Sequence, residues 1–123
     1  MHPGLPTSSE SRRVLIVEDD AANCEVMRLV LELAGHTVYT AATGREALER
    51  AKEEEPDTVL LDLTLPDQNG ALVSAALRAR GGAVPRIIIT SGMSLERDDA
   101  ERLGGDLILQ KPFCPEALLA ALR

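Results

Sequence analysis

Glu18-Asp19-Asp20, Asp62, Thr90-Ser91 and Gln110-Lys111 each follow a short apolar run, and together they hold most of the chemistry this sequence offers. The runs are 14–17, 58–61, 86–89 and 107–109. Carboxylates gathered from two such places repel one another unless a cation lies between them. Glu18, Asp19 and Asp62 offer only oxygen, with no His or Cys beside them, which selects a hard divalent ion, Mg2+ or in its place Mn2+, over zinc. Lys111 is one of 2 lysines against 11 arginines, and its ammonium suits an incoming phosphoryl oxygen. Asp62 is then the candidate nucleophile, because a carboxylate can take a phosphoryl group as an acyl phosphate. Such a transfer needs alignment and charge neutralisation, which a metal and a lysine supply, and Thr90 adds a hydroxyl donor. Spacing and charge alone do not choose between Asp62 and Asp19 as acceptor. A polar residue after a buried strand also often marks only the chain's return to solvent. Asp20 and Thr43 are read that way, as helix caps.

What positions these residues is an alternation of strands and helices. Four of the five apolar runs are apolar on consecutive residues, the pattern of strands covered on both faces in a parallel sheet. The fifth, Thr37-Val38-Tyr39-Thr40-Ala41, is more polar and predicts an edge strand. Between them, residues 21–34 carry Val26, Leu29, Val30, Leu33 and Ala34 at three- and four-residue intervals, which predicts a helix buried on that face and stopped by Gly35. Further helices are expected over 45–54, closed by Pro56, then 71–79, 95–103 and 116–122. Strand then helix, five times, makes an open doubly wound α/β sheet with helices on both faces. Ligands of such sheets bind outside the carboxyl ends of the strands, where the polar clusters stand.

The chain has 123 residues, enough for one domain, with 45% apolar and 27% charged residues. Its net charge of −7 argues against a surface that grips phosphate backbones, and one Phe, one Tyr and no Trp give no stacking platform for nucleic acid. No apolar run approaches the roughly 18 residues that cross a bilayer, and residues 1–11 lack the form of a secretory signal. With two cysteines far apart, Cys24 and Cys114, the expectation is a cytoplasmic protein without membrane or direct nucleic-acid partners. Residues 1–11, rich in Pro, Gly and Ser, read as a disordered arm, and the expected last helix runs to the end of the sequence with no output domain behind it. Both cysteines and Met27 read as packing residues, and His36 as a surface residue after Gly35.

The stretches VLIVEDD, LLDLTLPDQNG, IIITSG and LILQKPF, in this order and separation, closely resemble the receiver domain of two-component response regulators, over residues 12–123. The resemblance implies a flavodoxin-like five-stranded sheet of order 2-1-3-4-5 with five helices. It makes Asp62 the phospho-acceptor, fed by a histidine kinase or histidine phosphotransfer protein. Glu18 and Asp19 match the acidic pair that holds Mg2+, with the backbone carbonyl of Thr64 as a further ligand. Thr90 matches the hydroxyl switch, and Lys111 the family lysine, its bond to Pro112 expected to be cis. The family's receivers act on a downstream effector, as monomers or as phosphorylation-dependent dimers. Departures stand beside the match. Ile108 occupies the place, three before Lys111, often held by Tyr or Phe, so the usual inward turn of an aromatic ring cannot operate. Leu65 replaces the common Met before Pro66, and Gly92 puts no side chain against a phosphoryl group. Asp67-Gln68-Asn69-Gly70 reads as the turn after the site, with Gly70 supplying permissive backbone angles. Two other classes remain to be weighed: a pseudo-receiver that only binds protein, kept open by Ile108, and an aspartyl phosphatase, disfavoured because Thr64 stands where such enzymes place a second Asp.

Overall fold

Each apolar run becomes a strand and each intervening amphipathic stretch a helix in the computed structural model, which describes residues 11–93, 95 and 97–123. In chain order these are β1 (Arg13–Val17), α1 (Ala21–Leu33), β2 (Thr37–Ala41), α2 (Gly44–Glu54), β3 (Thr58–Asp62), α3 (Gly70–Ala79), β4 (Arg86–Ser91), α4 (Arg97–Arg102), β5 (Leu107–Gln110) and α5 (Pro115–Ala121). The strands are all parallel in the order β2-β1-β3-β4-β5, so the more polar β2 is an edge, as its composition predicts. Residues 1–10 of the expected arm lie outside the described residues. Ser11, assigned to the same arm, donates its hydroxyl to the Gly35 carbonyl at 2.8 Å.

The unbroken apolar character of β1, β3 and β4 has a direct cause. Successive side chains point to opposite faces, and both faces are covered. Leu15, Val17, Val59, Leu61, Ile87 and Ile89 pack with Ala47 and Ala51 of α2 and with Val73 and Leu77 of α3. Their neighbours Val14, Ile16, Leu60 and Ile88 pack on the other side with Met27 and Leu31 of α1 and with Leu118 and Ala121 of α5. Each large aliphatic side chain so buried contributes about 1.5–3 kcal/mol, so the ionisable groups of β1 and β3 collect where those strands end.

The face that α1 buries differs from the expected one. Val26, Leu29 and Leu33 are exposed, Leu33 by 83%, while Met27 and Leu31 are buried and Cys24 and Val30 pack beside them. Val30 and Ala34 of the expected set are half-buried, but positions 24, 27 and 31 satisfy the helical period as well as 26, 29 and 33 do. A helix apolar on two stripes does not reveal which one faces the sheet. His36 is likewise half-buried, its Nδ1 accepting from the Arg12 amide at 3.0 Å, where it ties the entry of β2 to β1. Burial lowers its pKa, with the charge of Arg12 adding to the effect.

The helix starts are capped as expected. Asp20 accepts from the Asn23 amide at 2.9 Å and Thr43 from the Glu46 amide at 3.0 Å. Gly35 ends the first helix with φ 98°, the left-handed conformation that a glycine adopts without strain. At the end of α2, Glu55 takes that conformation just before Pro56.

Candidate functional site

Parallel strands put all their carboxyl ends at one edge, and β1 and β3 are neighbours at the centre of the sheet. Residues ending these two strands therefore meet. One carboxylate oxygen from each of Glu18, Asp19 and Asp62 lies within 4.8 Å of the others. Glu18 and Asp62 are buried, and Asp19 is exposed at the rim. β5, two strands from β3, delivers Lys111, whose Nζ donates to Glu18 Oε1 at 2.7 Å and to Asp62 Oδ2 at 3.2 Å. The Lys111 amide donates to the Ser91 carbonyl at 2.7 Å, and the Lys111–Pro112 peptide is cis.

Glu18 and Asp62 are each held by the backbone amide two residues further on. Asp62 Oδ1 accepts from the Thr64 amide at 3.0 Å, so its two oxygens face a backbone donor and an ammonium. Glu18 Oε2 accepts from the Asp20 amide at 3.2 Å. Thr90, buried, is the register partner of Asp62 across the β3–β4 ladder, and its carbonyl accepts from the Leu63 amide. The sequence-read set of Glu18, Asp19, Asp62, Thr90 and Lys111 thus lies at the carboxyl edges of four elements that share one rim.

Electrostatics describe what such a site wants. Three carboxylates against one ammonium leave a deficit of positive charge. Burial raises the Glu18 carboxyl above its ordinary value, and the proximity of Asp62 adds to this against the pull of Lys111. Burial alone would depress the Lys111 ammonium, but its hydrogen bond to Glu18 and the charges of Asp62 and Glu18 outweigh that and raise it. An oxygen-only, net-negative set fits a hard divalent cation. The raised carboxyl also has a measurable consequence. Glu18→Gln will stabilise the metal-free protein at pH 7, because ionisation of Glu18 costs the fold energy that a neutral amide does not, while Asp62 still pairs with Lys111. That penalty is present above the raised pKa and absent below the ordinary 4.5. Thermal melts in chelator should therefore show the gain at pH 7 and none at pH 4, and equal melting points at pH 7 would refute it.

Beside the acids opens a cleft of about 460 Å³, lined by Asn23, Val26, Met27, Gly92, Lys111 and Phe113 among others. A Cβ on Gly92 would meet nothing within 4 Å, so this residue leaves the mouth of the cleft clear.

The sequence profile of the response regulator receiver domain matches residues 14–123, which include every residue of this rim. The chain belongs to that family. Among its relatives, the response regulator MprA of Mycolicibacterium vanbaalenii is 39% identical over 112 residues, covering 90% of this chain and 48% of the relative. MprA of Mycobacterium ulcerans is 40% identical over 114 residues, covering 92% of this chain and 49% of that protein. The chain thus spans about half the length of these curated relatives. Among solved structures, the chemotaxis response regulator CheY4 of Vibrio cholerae superposes with a TM-score of 0.84 at 30% identity, over 91% of this chain and 96% of that one. A CheY-like receiver domain protein from Methanospirillum hungatei gives 0.80 at 30% identity, over 91% and 90%.

Receiver domains are signalling phospho-acceptors that bind Mg2+ in an acidic site, and the acidic cluster of this one is compatible with both Mg2+ and an aspartyl phosphate. Among the described residues, no helix is long and apolar enough to cross a membrane.

Two details of this receiver domain escaped the sequence reading. Gly70 does not have the positive φ expected of a permissive turn residue. A Cβ there would stand 2.5 Å from the Asp62 carbonyl oxygen and 2.8 Å from Leu63 Cα, so the position requires a glycine for close backbone approach. The Gly70 amide donates to the Leu63 carbonyl at 2.8 Å, which pins the start of α3 beneath the site. The second is Asp67, read as a turn residue only. Its carboxylate reaches across to the start of α2, accepting from the Gly44 amide at 2.8 Å and the Arg45 amide at 3.0 Å. Only the topology that sets α2 beside α3 could have revealed that contact.

Ile108 is half-buried against the core shared with Ile87, Ile89 and Leu103, and its register partner on β4 is Ile89. An aliphatic chain packs there against the core, without the flat ring that a rotating switch needs.

Proposed function

We propose that this receiver domain accepts a phosphoryl group on Asp62 from a phosphohistidine of a histidine kinase or histidine phosphotransfer protein, with Mg2+ bound by Glu18, Asp19, Asp62 and the Thr64 carbonyl. The observation that supports Asp62 over Asp19 is the hydrogen-bond pattern. Asp62 alone of the two is buried, bonded to Lys111, and held at its other oxygen by a backbone amide. That fixes the direction in which it faces an incoming phosphorus, the alignment on which phosphoryl transfer depends.

In this reading an Asp62 oxygen attacks the phosphorus, the phosphorus–nitrogen bond of the donor breaks, and the imidazole leaves with the bonding electron pair. Lys111 follows the growing negative charge by pairing with a phosphoryl oxygen, and the Thr90 hydroxyl donates to another. When bound, Mg2+ neutralises the phosphoryl oxygens and the acids that face them. Thr90 then carries the change toward the α4–β5–α5 surface, where a downstream effector or a second phosphorylated copy would bind. Ile108, in place of an aromatic, confines that change to Thr90 and its loop. The setting is the cytoplasm, where ATP-fed histidine kinases present their phosphohistidines.

Incubation with acetyl phosphate, followed by intact-mass spectrometry, tests this. One phosphoryl adduct is expected in Mg2+ or Mn2+ and none after chelation. Equal adduct without the metal, or none with it, would remove the reading. Steady turnover of a small phosphate ester would point instead to a phosphatase.

A further inference from the structure

The loop between Asp62 and α3 is anchored at several points. Leu65 is buried in the core beneath it, Thr64 and Asn69 form an isolated antiparallel bridge, and Asn69 caps α3 by accepting from the Ala71 amide at 2.7 Å. At its outer end Asp67 spends both carboxylate oxygens on the first two amides of α2, 22 and 23 residues earlier in the chain. Thr43 takes the third of these amides, that of Glu46. Gln68 lies over Gly44 so closely that a Cβ on the glycine would stand 2.6 Å from its Cγ. The start of α2 is therefore built to receive this loop: a glycine makes room for one of its side chains, and two amides bind the next. Asp67 is solvent-exposed, so burial of apolar surface does not explain its place. The Gly44 amide, with that of Arg45, holds its carboxyl below the ordinary value, as expected of a carboxylate whose charge is in use.

We infer that Asp67 is a positioning residue for phosphoryl transfer: by clamping the 64–69 loop to the first turn of α2, it holds the Thr64 backbone in place beside Asp62. This rests on the proposed function, in which the Thr64 carbonyl completes the Mg2+ site. Thr64 stands three residues from the clamp, and its amide bonds directly to the acceptor carboxylate. Without the clamp, the outer half of the loop is held to the rest of the fold by fewer bonds. A drift of about an ångström in a ligand is enough to weaken a metal site and misalign a reaction.

Calorimetric titration with Mg2+ alone separates this from a simple capping role. Asp67→Ala removes two acceptors from α2, and Thr43→Ala removes one, so both lower the melting temperature. Only the first frees the loop. Asp67→Ala should bind Mg2+ about three- to tenfold more weakly than wild type, and Thr43→Ala should bind it as wild type does. In acetyl phosphate reactions, Asp67→Ala should raise the half-saturating Mg2+ concentration by the same factor while changing the rate at saturating Mg2+ less. Asp67→Asn keeps one acceptor oxygen and should fall between, which preserves the test if the alanine variant folds poorly. Wild-type affinity in Asp67→Ala, or an equal loss in Thr43→Ala, overturns the inference while leaving the proposed function standing. Failure of the wild type itself to bind Mg2+ would remove the proposed function, and this inference with it.

Discussion

Asp62→Asn will leave no phosphoryl adduct on this protein, under conditions in which the wild type is modified once, while its fold survives or gains stability. The two side chains have the same shape, and an amide oxygen at Oδ1 still accepts from the Thr64 amide. What is lost is the nucleophile, since an amide does not attack phosphorus as a carboxylate does. The effect on the reaction is therefore complete rather than graded. Stability moves the other way. Asp62 is one of the groups that raise the buried Glu18 carboxyl, and removing its charge relieves the repulsion between them. Lys111 keeps its 2.7 Å bond to Glu18 and remains neutralised. A melting temperature equal to or above that of wild type, with no mass increase after acetyl phosphate, is the expected pair of results. An adduct of undiminished yield would transfer the acceptor role to Asp19, the exposed acid of the same cluster, and peptide mapping would locate it. A collapsed fold would instead show that Asp62 is structural.

How much of this was legible beforehand depended on the kind of interaction. β1, β3 and β4 could be read as central strands because burial on both faces leaves an unbroken apolar run, although the same pattern over 107–109 belongs to β5, which is the other edge and half-buried. The strand order, which the resemblance to receiver domains implied and the sheet shows, then places the acids of β1 and β3 together. The convergence of Glu18, Asp19, Asp62 and Lys111 follows from that, since parallel strands share one carboxyl edge. The choice of acceptor did not follow. It rests on which carboxylate oxygen meets Lys111 Nζ and which meets the Thr64 amide, and those contacts exist only once the loop is folded. The buried face of α1 was hidden for a different reason. The helix carries two apolar stripes, and only packing against β1 and α5 selects Met27 and Leu31 over Leu29 and Leu33. Gly70 and Asp67 both look like ordinary turn residues in sequence. One is fixed by a close backbone approach within its own loop and the other by a helix more than 20 residues away, and neither constraint leaves a local signature.

Lys111→Ala will both slow phosphorylation and unsettle the fold, and the second effect will depend on pH in a defined way. Removing a single preorganised charge from a transferring phosphoryl group typically costs about a hundred- to a thousandfold in rate, and among the described residues no other ammonium or guanidinium bonds to these acids. In the resting protein the same lysine neutralises Glu18 and Asp62, both buried. Breaking a fully buried ion pair costs about 3–5 kcal/mol. Lys111 keeps 24% of its side chain exposed and the freed Glu18, its carboxyl already raised, can take up a proton, so a loss of about 1–3 kcal/mol at pH 7 is the reasonable scale. The folded protein raises the lysine's pKa, so its contribution is fully present below the ordinary 10.5 and disappears as pH rises through the higher folded value. As pH falls through the raised value of the Glu18 carboxyl, that group takes up a proton and its ion pair with Lys111 is lost. Denaturant unfolding in chelator should therefore show the largest gap between wild type and variant near neutrality, closing toward pH 4. A gap that stayed constant down to pH 4 would mean that Lys111 acts by packing alone. In saturating Mg2+ the gap at pH 7 should shrink, because the metal supplies part of the positive charge that the variant lacks. No recovery with the metal, in a variant that still binds it, would show that Lys111 and Mg2+ do not share the charge of these acids.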